Sequence, residues 1–134
     1  MSKAKGSRAE RELFHMLWNA GWAVVRSAGS GSTPLPSPDL ITSNGKKSLA
    51  IECKSIKGSS KHFPKEEIED LSFFSQRFGA QPFIGVRFDH KGWFFLPVEA
   101  MHKTESENFS ITLKLALEKG ISFKKLIESS ESLS

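Results

Sequence analysis

Three charged residues in the middle of the chain have the types and spacing needed to hydrolyse a phosphodiester bond. Pro38-Asp39 is followed by Glu52-Cys53-Lys54. A divalent cation held by carboxylates can activate a water, neutralise charge on the transition state and assist the leaving oxygen. Magnesium accepts oxygen ligands from a small set of carboxylates and keeps several waters. We therefore expect Asp39 and Glu52 to hold Mg²⁺, with the backbone carbonyl of Cys53 as a further ligand.

Lys54 follows Glu52 at the spacing that places both side chains on one face of a strand. Its ammonium could touch the attacking water and a phosphate oxygen, either as a base or as a fixed positive charge. A Pro-Asp followed by Glu-x-Lys arises by chance in roughly a few per cent of chains this long. An exposed ion pair would also explain Glu52 and Lys54. However, the apolar residues around them indicate an inner strand, where two charges on one face are costly unless they line a cleft.

Glu10 is the next acidic candidate. It lies on the apolar stripe of a predicted helix with Leu13, Phe14 and Leu17, which directs its carboxylate toward the core. A capping box, Ser7-Arg-Ala-Glu10, explains the same residue as part of a helix start. Spacing alone does not decide between a helix cap and a place in the metal site.

Basic and hydroxyl side chains could grip DNA phosphates around this site, although a solvated surface is the alternative for each one singly. The basic candidates are Arg8, Arg11, Arg26, Lys57, Lys61 and Lys65. Ser30 and Ser32 lie in the Gly-Ser-Gly-Ser loop before Asp39. They are either flexible filler, which the residues alone favour, or hydroxyls that bond a phosphate near the scissile bond.

Composition limits the class of protein. With 134 residues the chain has the length of one domain, so we expect a single nuclease domain over residues 1–134, with a flexible arm at 1–5 and a frayed tail at 129–134. The net charge of +4 suits a polyanionic partner. One cysteine excludes an internal disulfide, and no apolar run is long enough to cross a bilayer. The absence of tyrosine excludes a phosphotyrosine intermediate. A cytoplasmic, nucleoid-associated protein is expected.

Periodicity and turn residues predict the elements that position these side chains. A helix is expected from Ser7 to Gly21, followed by a strand over 22–26 and a loop over 29–38. Asn44-Gly45 is typical of a tight turn, so strands over 39–42 and 48–55 should pair as an antiparallel hairpin.

The second half of the chain continues with alternating elements. Residues 57–63 are expected to form a flexible basic connection before a helix that starts at Pro64, with the acidic Glu66 and Glu67 in its first turn, and ends at Gly79. Strands over 82–88 and 93–96 should form a second pair. A further strand over 108–113 and a short helix over 122–127, capped by Ser122, complete the prediction.

Aromatic residues of the second helix and nearby strands exceed what one small core requires. They are Phe73, Phe74, Phe78, Phe83, Trp93 and Phe95. Core packing is the default role of any one of them. Collectively they could cover a two-fold interface, whose centre favours aromatic side chains.

The chain resembles the archaeal Holliday junction resolvases, a branch of the restriction-endonuclease-like nucleases. The resemblance covers about residues 6–96 and rests on motifs that occur in the family's order. These are Ala9-Glu-Arg-Glu12, Ala23-Val-Val-Arg-Ser27, Pro38-Asp39, Ile51-Glu-Cys-Lys54 and Phe74-Ser-Gln-Arg-Phe-Gly79. It implies an α/β fold with a central mixed five-stranded sheet flanked by helices. It also implies a homodimer that resolves four-way DNA junctions by paired nicks in recombination and repair, with Mg²⁺, or Mn²⁺ in its place, as cofactor.

The resemblance also assigns roles to individual residues. Glu10, Asp39 and Glu52 would be the metal carboxylates, and Lys54 the cation that stabilises the transition state or positions the water. Ser30 would be the catalytic serine. The remaining assignments are phosphate contacts for Arg11 and Arg26 and a dimer interface for Phe74 and Phe78. Replication or recombination proteins are further possible partners.

Two features depart from the family pattern, and two other functions compete. The loop before Asp39 carries three prolines and little charge. Glu67 occupies a helix position where related nucleases often have a neutral polar residue. The competing functions are a restriction- or repair-type endonuclease that acts on linear DNA, and a non-catalytic basic DNA-binding module.

Overall fold

The structure, a computed structural model, describes residues 2–27 and 36–132, without the side chains of 2–7 and 129–132. Four helices and eight strands are described, with a short 3-10 helix at Val98–Ala100. The helices are α1 (Ser2–Asn19), α2 (Lys65–Phe78), α3 (Leu113–Lys119) and α4 (Phe123–Ser132). The strands are β1 (Ala23–Arg26), β2 (Leu40–Ser43), β3 (Ser48–Ile56), β4 (Ser60–Phe63), β5 (Gln81–Phe88), β6 (Gly92–Pro97), β7 (His102–Lys103) and β8 (Phe109–Thr112). No helix among the described residues is long and apolar enough to span a membrane.

Five strands form the main sheet in the order β1-β2-β3-β5-β6. Strands β3 and β5 run parallel, and the other neighbours are antiparallel. The parallel step requires a crossover connection, which α2 provides. The predicted fold, a mixed five-stranded sheet flanked by helices, is therefore confirmed. A second sheet of three short strands, in the order β4-β8-β7, was not predicted.

The hairpin of β2 and β3 sets the relation between the two halves of the candidate site. Its turn contains Gly45 at a φ of 91°, a conformation that glycine adopts without steric cost. The Oδ1 atom of Asn44 accepts hydrogen bonds from the turn amides of Lys46 and Lys47. The register pairs Leu40 with Ile51, so Asp39 comes next to Glu52 at the open end of the hairpin. The predicted hairpin is confirmed.

Side chains of β3 alternate between two helical layers. Ile51 and Cys53 share an apolar cluster with Leu13 of α1, whereas Ala50 and Ile56 belong to the cluster that contains residues of α2. By the two-residue period of a strand, Glu52 and Lys54 lie on the α2 side. This alternation was predicted, and it places the charged pair on the face that α2 covers.

The structure corrects two local predictions. Helix α1 begins at Ser2, so the predicted start at Ser7 is wrong, and residues 2–5, which were expected to form an arm, are helical. Alanine and lysine are strong helix formers, which explains the extension. Residues 57–63 are not a flexible connection, because β4 pairs with β8 and buries Phe63. That pairing depends on a partner strand far along the chain, which local patterns do not reveal.

The C-terminal elements agree with the prediction in part. The strand predicted over 108–113 is β8, and Ser122 caps α4, since its Oγ accepts a hydrogen bond of 3.1 Å from the amide of Lys125. Helix α4 extends to Ser132 rather than ending at residue 127, so residues 129–132, which were expected to belong to a frayed tail, are helical. Helix α3 was not predicted; Thr112 caps it through a bond from the amide of Leu115.

Candidate functional site

Asp39 and Glu52 hold each other through two hydrogen bonds that link carboxylates to backbone amides. The amide of Asp39 donates to Oε1 of Glu52 at 2.9 Å, and the amide of Cys53 donates to Oδ2 of Asp39 at 2.8 Å. Each carboxylate is thus held by a backbone amide on the opposite side of the hairpin. This arrangement follows from the hairpin register, and it orients two hard oxygen donors toward one place.

Burial and like charge make this carboxylate pair reluctant to ionise fully. Burial raises the pKa of Asp39 to about 6, against the hydrogen bond from Cys53, and the charges of Glu10 and Glu67 raise it further. Burial, then the charges of Asp39 and Glu67, raise the pKa of Glu52 to about 8. A cation between the two groups would relieve the repulsion between them. Their chemistry therefore suits a divalent metal ion.

Lys54 forms an ion pair with a residue that the sequence did not place in the site. Its Nζ lies 3.3 Å from Oε1 of Glu67 in α2. Burial lowers the pKa of Lys54, but the charge of Glu67 and those of Glu52 and Asp39 outweigh it, so the net pKa is raised. The ion pair with Glu67 therefore favours the charged form of Lys54. A sequence clue existed, because Glu67 precedes the buried Leu71 by one helical turn and so lies on the sheet-facing side of α2.

Glu10 makes a different contact from the one its predicted role requires. Its Oε1 accepts a hydrogen bond of 3.1 Å from Nε of Arg26 in β1. Glu10 lies within α1 and not at a cap. Within the part of the chain that the structure describes, no three histidine, cysteine, aspartate or glutamate side chains are close enough together to hold a metal. The structure thus brings Asp39 and Glu52 together, with Glu10 nearby and paired to Arg26.

The thiol between the two charged residues of β3 is chemically quiet. Cys53 is buried on the opposite face from Glu52 and Lys54. Burial raises the pKa of its thiol well above the usual value, as do the neighbouring carboxylates. A protonated thiol is a poor nucleophile and metal ligand. Its contribution to the described site is its backbone amide, which donates to Asp39.

The remaining basic and hydroxyl candidates occupy three kinds of position. Ser30 and Ser32 lie outside the described residues. The side chains of Arg8 and Arg11 on α1, and of Lys57 and Lys61 around β4, are exposed. The Nζ atom of Lys65 is 3.8 Å from Glu69 and 3.6 Å from Glu107.

On α2, the aromatic candidates Phe74 and Phe78 stack with ring centroids 5.6 Å apart, and Phe78 is 54% exposed. The structure buries Phe83 and Phe95 in the core.

Fold and site together define a class. A mixed five-stranded sheet with a P-D…E-x-K carboxylate pair on its central hairpin and a lysine beside it is the framework of a restriction-endonuclease-like nuclease. The family model described as archaeal Holliday junction resolvase (Hjc) matches residues 1–134. The chain therefore belongs to the archaeal Holliday junction resolvase family, whose members are endonucleases.

Individual relatives agree with this assignment. The chain is 42% identical over 109 residues to the crossover junction endodeoxyribonuclease Hjc of Archaeoglobus fulgidus. This match covers 81% of this chain and 79% of the relative. It is 33% identical over 133 residues to the Hjc enzyme of Sulfurisphaera tokodaii, which covers 98% of this chain and 91% of that one. The solved structure of the Archaeoglobus fulgidus protein superposes with a TM-score of 0.85 at 36% identity, over 92% of this chain and 98% of that chain.

Proposed function

We propose that this chain resolves four-way DNA junctions by paired metal-dependent nicks, as a homodimer with one site per subunit. The observation that carries the proposal is the Asp39–Glu52 pair, locked by reciprocal hydrogen bonds beside Lys54 in a member of a junction resolvase family. Nucleases of this family are generally metal-dependent. Mg²⁺ is the cofactor we propose, with Mn²⁺ able to replace it.

Asp39 and Glu52 would hold the metal ion, and Glu10 would complete the carboxylate set after its carboxylate leaves Arg26. A bound divalent ion supplies charge neutralisation at the phosphate and a water of lowered pKa. Lys54 would stabilise charge on the transition state, because its pairing with Glu67 keeps it protonated. Ser30 would act as the catalytic serine near the scissile phosphate.

The basic side chains around the site would hold the junction arms. Arg26 could exchange Glu10 for a phosphate oxygen, and Arg11 would bind a neighbouring phosphate. Further contacts would come from Arg8, Ser32, Lys57, Lys61 and Lys65. Contacts of this kind select DNA by the positions of its phosphates, and a junction differs from a duplex in those positions.

A homodimer suits the symmetry of the substrate. A four-way junction has two-fold symmetry, and two equivalent strands must be cut to leave duplexes with ligatable nicks. The stacked Phe74 and Phe78 on the surface of α2 supply an aromatic patch of the kind found at the centres of interfaces. We therefore assign the interface to this helix.

The test compares cleavage of a four-way junction with cleavage of its separate duplex arms, each with Mg²⁺ and with Ca²⁺. We expect paired nicks in the junction with Mg²⁺ and little cleavage of the arms. Equal rates on both substrates would favour an endonuclease of linear DNA. Junction binding without any metal-dependent nicking would favour a DNA-binding module.

A further inference from the structure

Among the described acidic residues, Glu67 is the one that forms an ion pair with Lys54. The two side chains come from opposite layers, since Lys54 lies on β3 and Glu67 on α2. Both side chains are less than one third exposed. The pair is therefore sheltered beside Asp39 and Glu52, not spread over the protein surface.

Helix capping does not explain the orientation of Glu67. An acidic residue in the first turn of a helix favours the dipole wherever it lies around the helix, and the exposed Glu66 already supplies this effect. Glu67 instead points toward the sheet. Its Oε1 atom is buried and, among the described atoms, accepts no hydrogen bond of good geometry. Burying a carboxylate oxygen without a hydrogen bond of good geometry is costly. Among the described atoms, the ammonium of Lys54 is the only group that offsets this cost.

Glu67 also adds negative charge to a site that already holds the carboxylates of Asp39 and Glu52. Like charges close together are unfavourable, so the stability of the fold does not account for Glu67. The effect of Glu67 that remains is on Lys54, whose long side chain has many rotamers and needs a partner to keep its ammonium in one position.

We propose that Glu67 is a positioning residue, which holds the ammonium of Lys54 at the distance and orientation from which it meets the scissile phosphate or its attacking water. This inference rests on the proposed function, because it requires that Lys54 act in cleavage. Glu67 would touch neither substrate nor metal. Its loss would lower the rate of cleavage, leave junction affinity unchanged and not raise the metal requirement.

The experiment measures single-turnover junction cleavage by Glu67→Gln, with Glu66→Gln as the matched control in the same helical turn. We expect Glu67→Gln to lower the rate constant by roughly 10- to 100-fold, the loss that misplacement of a reacting group causes. Junction Kd should stay within about twofold of the parent, since no phosphate contact is lost. The Mg²⁺ concentration for half-maximal rate should not rise. Glu66→Gln should behave as the parent does.

A double-mutant cycle separates an effect through Lys54 from an independent one. In a Lys54→Ala background, Glu67→Gln should cause no further loss of rate. A loss that adds to that of Lys54→Ala, or a raised Mg²⁺ requirement, would overturn the inference and make Glu67 a metal ligand or an independent residue. If Glu67→Gln fails to fold, Glu67→Asp is the second variant. Its shorter side chain keeps the negative charge but moves it away from Lys54, so a reduced rate of cleavage with intact junction affinity is again expected.

Two kinds of failure are distinguishable. Parent-like cleavage by both Glu67→Gln and Glu67→Asp would overturn this inference alone. A parent protein that never nicks the junction with Mg²⁺ would overturn the proposed function and this inference with it.

Discussion

The backbone amide of Asp39 donates a hydrogen bond of 2.9 Å to the Oε1 atom of Glu52. In the opposite direction, the backbone amide of Cys53 donates a hydrogen bond to Oδ2 of Asp39. The two bonds therefore hold both carboxylates against the backbone of the hairpin of β2 and β3. Such preorganisation matters for chemistry, because charged groups that are already in place need less reorganisation when charge develops.

Replacing Asp39 by asparagine should separate catalysis from binding. Asparagine keeps the shape of the side chain and an oxygen that can accept the bond from Cys53, but it removes the negative charge. We expect cleavage of the junction to fall by about 100- to 1,000-fold or more, because the metal loses a charged ligand. Single-turnover cleavage and gel-shift binding measure the two properties. Glu118→Gln, a carboxylate-to-amide change at an exposed position of α3, is the control. Parent-like nicking by Asp39→Asn would exclude Asp39 from the chemistry.

The stability of the metal-free protein should depend on pH through the same pair. The folded pKa values of about 6 for Asp39 and about 8 for Glu52 lie above the ordinary values of unfolded carboxyls, which are about 4. The pair's stabilising contribution is therefore present below about pH 4 and is lost as the pH rises through about 6 and 8. In a chelator, we expect the Tm of the parent to fall as the pH rises from about 4 to about 8. The Tm of Glu52→Gln should fall less over the same range.

The Tm of the parent and of Glu52→Gln should also be measured after a divalent metal is added. At a pH above 8, Mg²⁺ or Ca²⁺ should raise the Tm of the parent more than that of Glu52→Gln, because only the parent offers both carboxylates. Identical pH slopes for the parent and the variant in the chelator would mean that Glu52 is not perturbed by folding.

Arg26→Ala should weaken junction binding with little effect on folding. The guanidinium is one third exposed and its partner Glu10 one fifth exposed, so losing the pair should cost less than about 1 kcal/mol. If Arg26 holds a phosphate, the slope of log Kd against log salt concentration should fall by about one. Fluorescence anisotropy over a salt series measures it. Lys91→Ala, in the exposed turn between β5 and β6, should leave the slope unchanged. An unaltered slope in Arg26→Ala would remove it from the DNA interface.

Phe78→Glu should convert the proposed dimer into a monomer that remains folded. The ring is 54% exposed in the single chain, so its replacement removes few contacts within the subunit. In a dimer whose interface contains Phe78, the new carboxylate would be buried beside its symmetry mate and repelled by it. Sedimentation velocity gives the oligomeric state, and circular dichroism tests the fold. Trp18→Glu is the matched control, since Trp18 on α1 is 60% exposed. A dimer of unchanged affinity would place the interface elsewhere.

Local sequence patterns predicted those parts of the fold whose cause is local. The Asn44-Gly45 turn, the end of α2 at Gly79 and the pair of strands around residues 89–92 all depend on backbone preferences of a few adjacent residues. Pairing of β4 with β8 was missed because it joins segments that lie far apart in the chain. The alternating pattern that marks a half-buried strand is weak in a short strand whose first three residues are exposed.

In the candidate site, too, some contacts have local causes and others depend on elements that are distant in the chain. Sequence by itself determined that Asp39 meets Glu52 and that Lys54 shares a face with Glu52, because turn type and the two-residue period of a strand set these relations. Tertiary structure alone decided that Arg26 pairs with Glu10 and Glu67 with Lys54. Those partners lie on separate elements, and where a helix sits on a sheet depends on how the whole of its apolar face packs, which no short run of residues specifies.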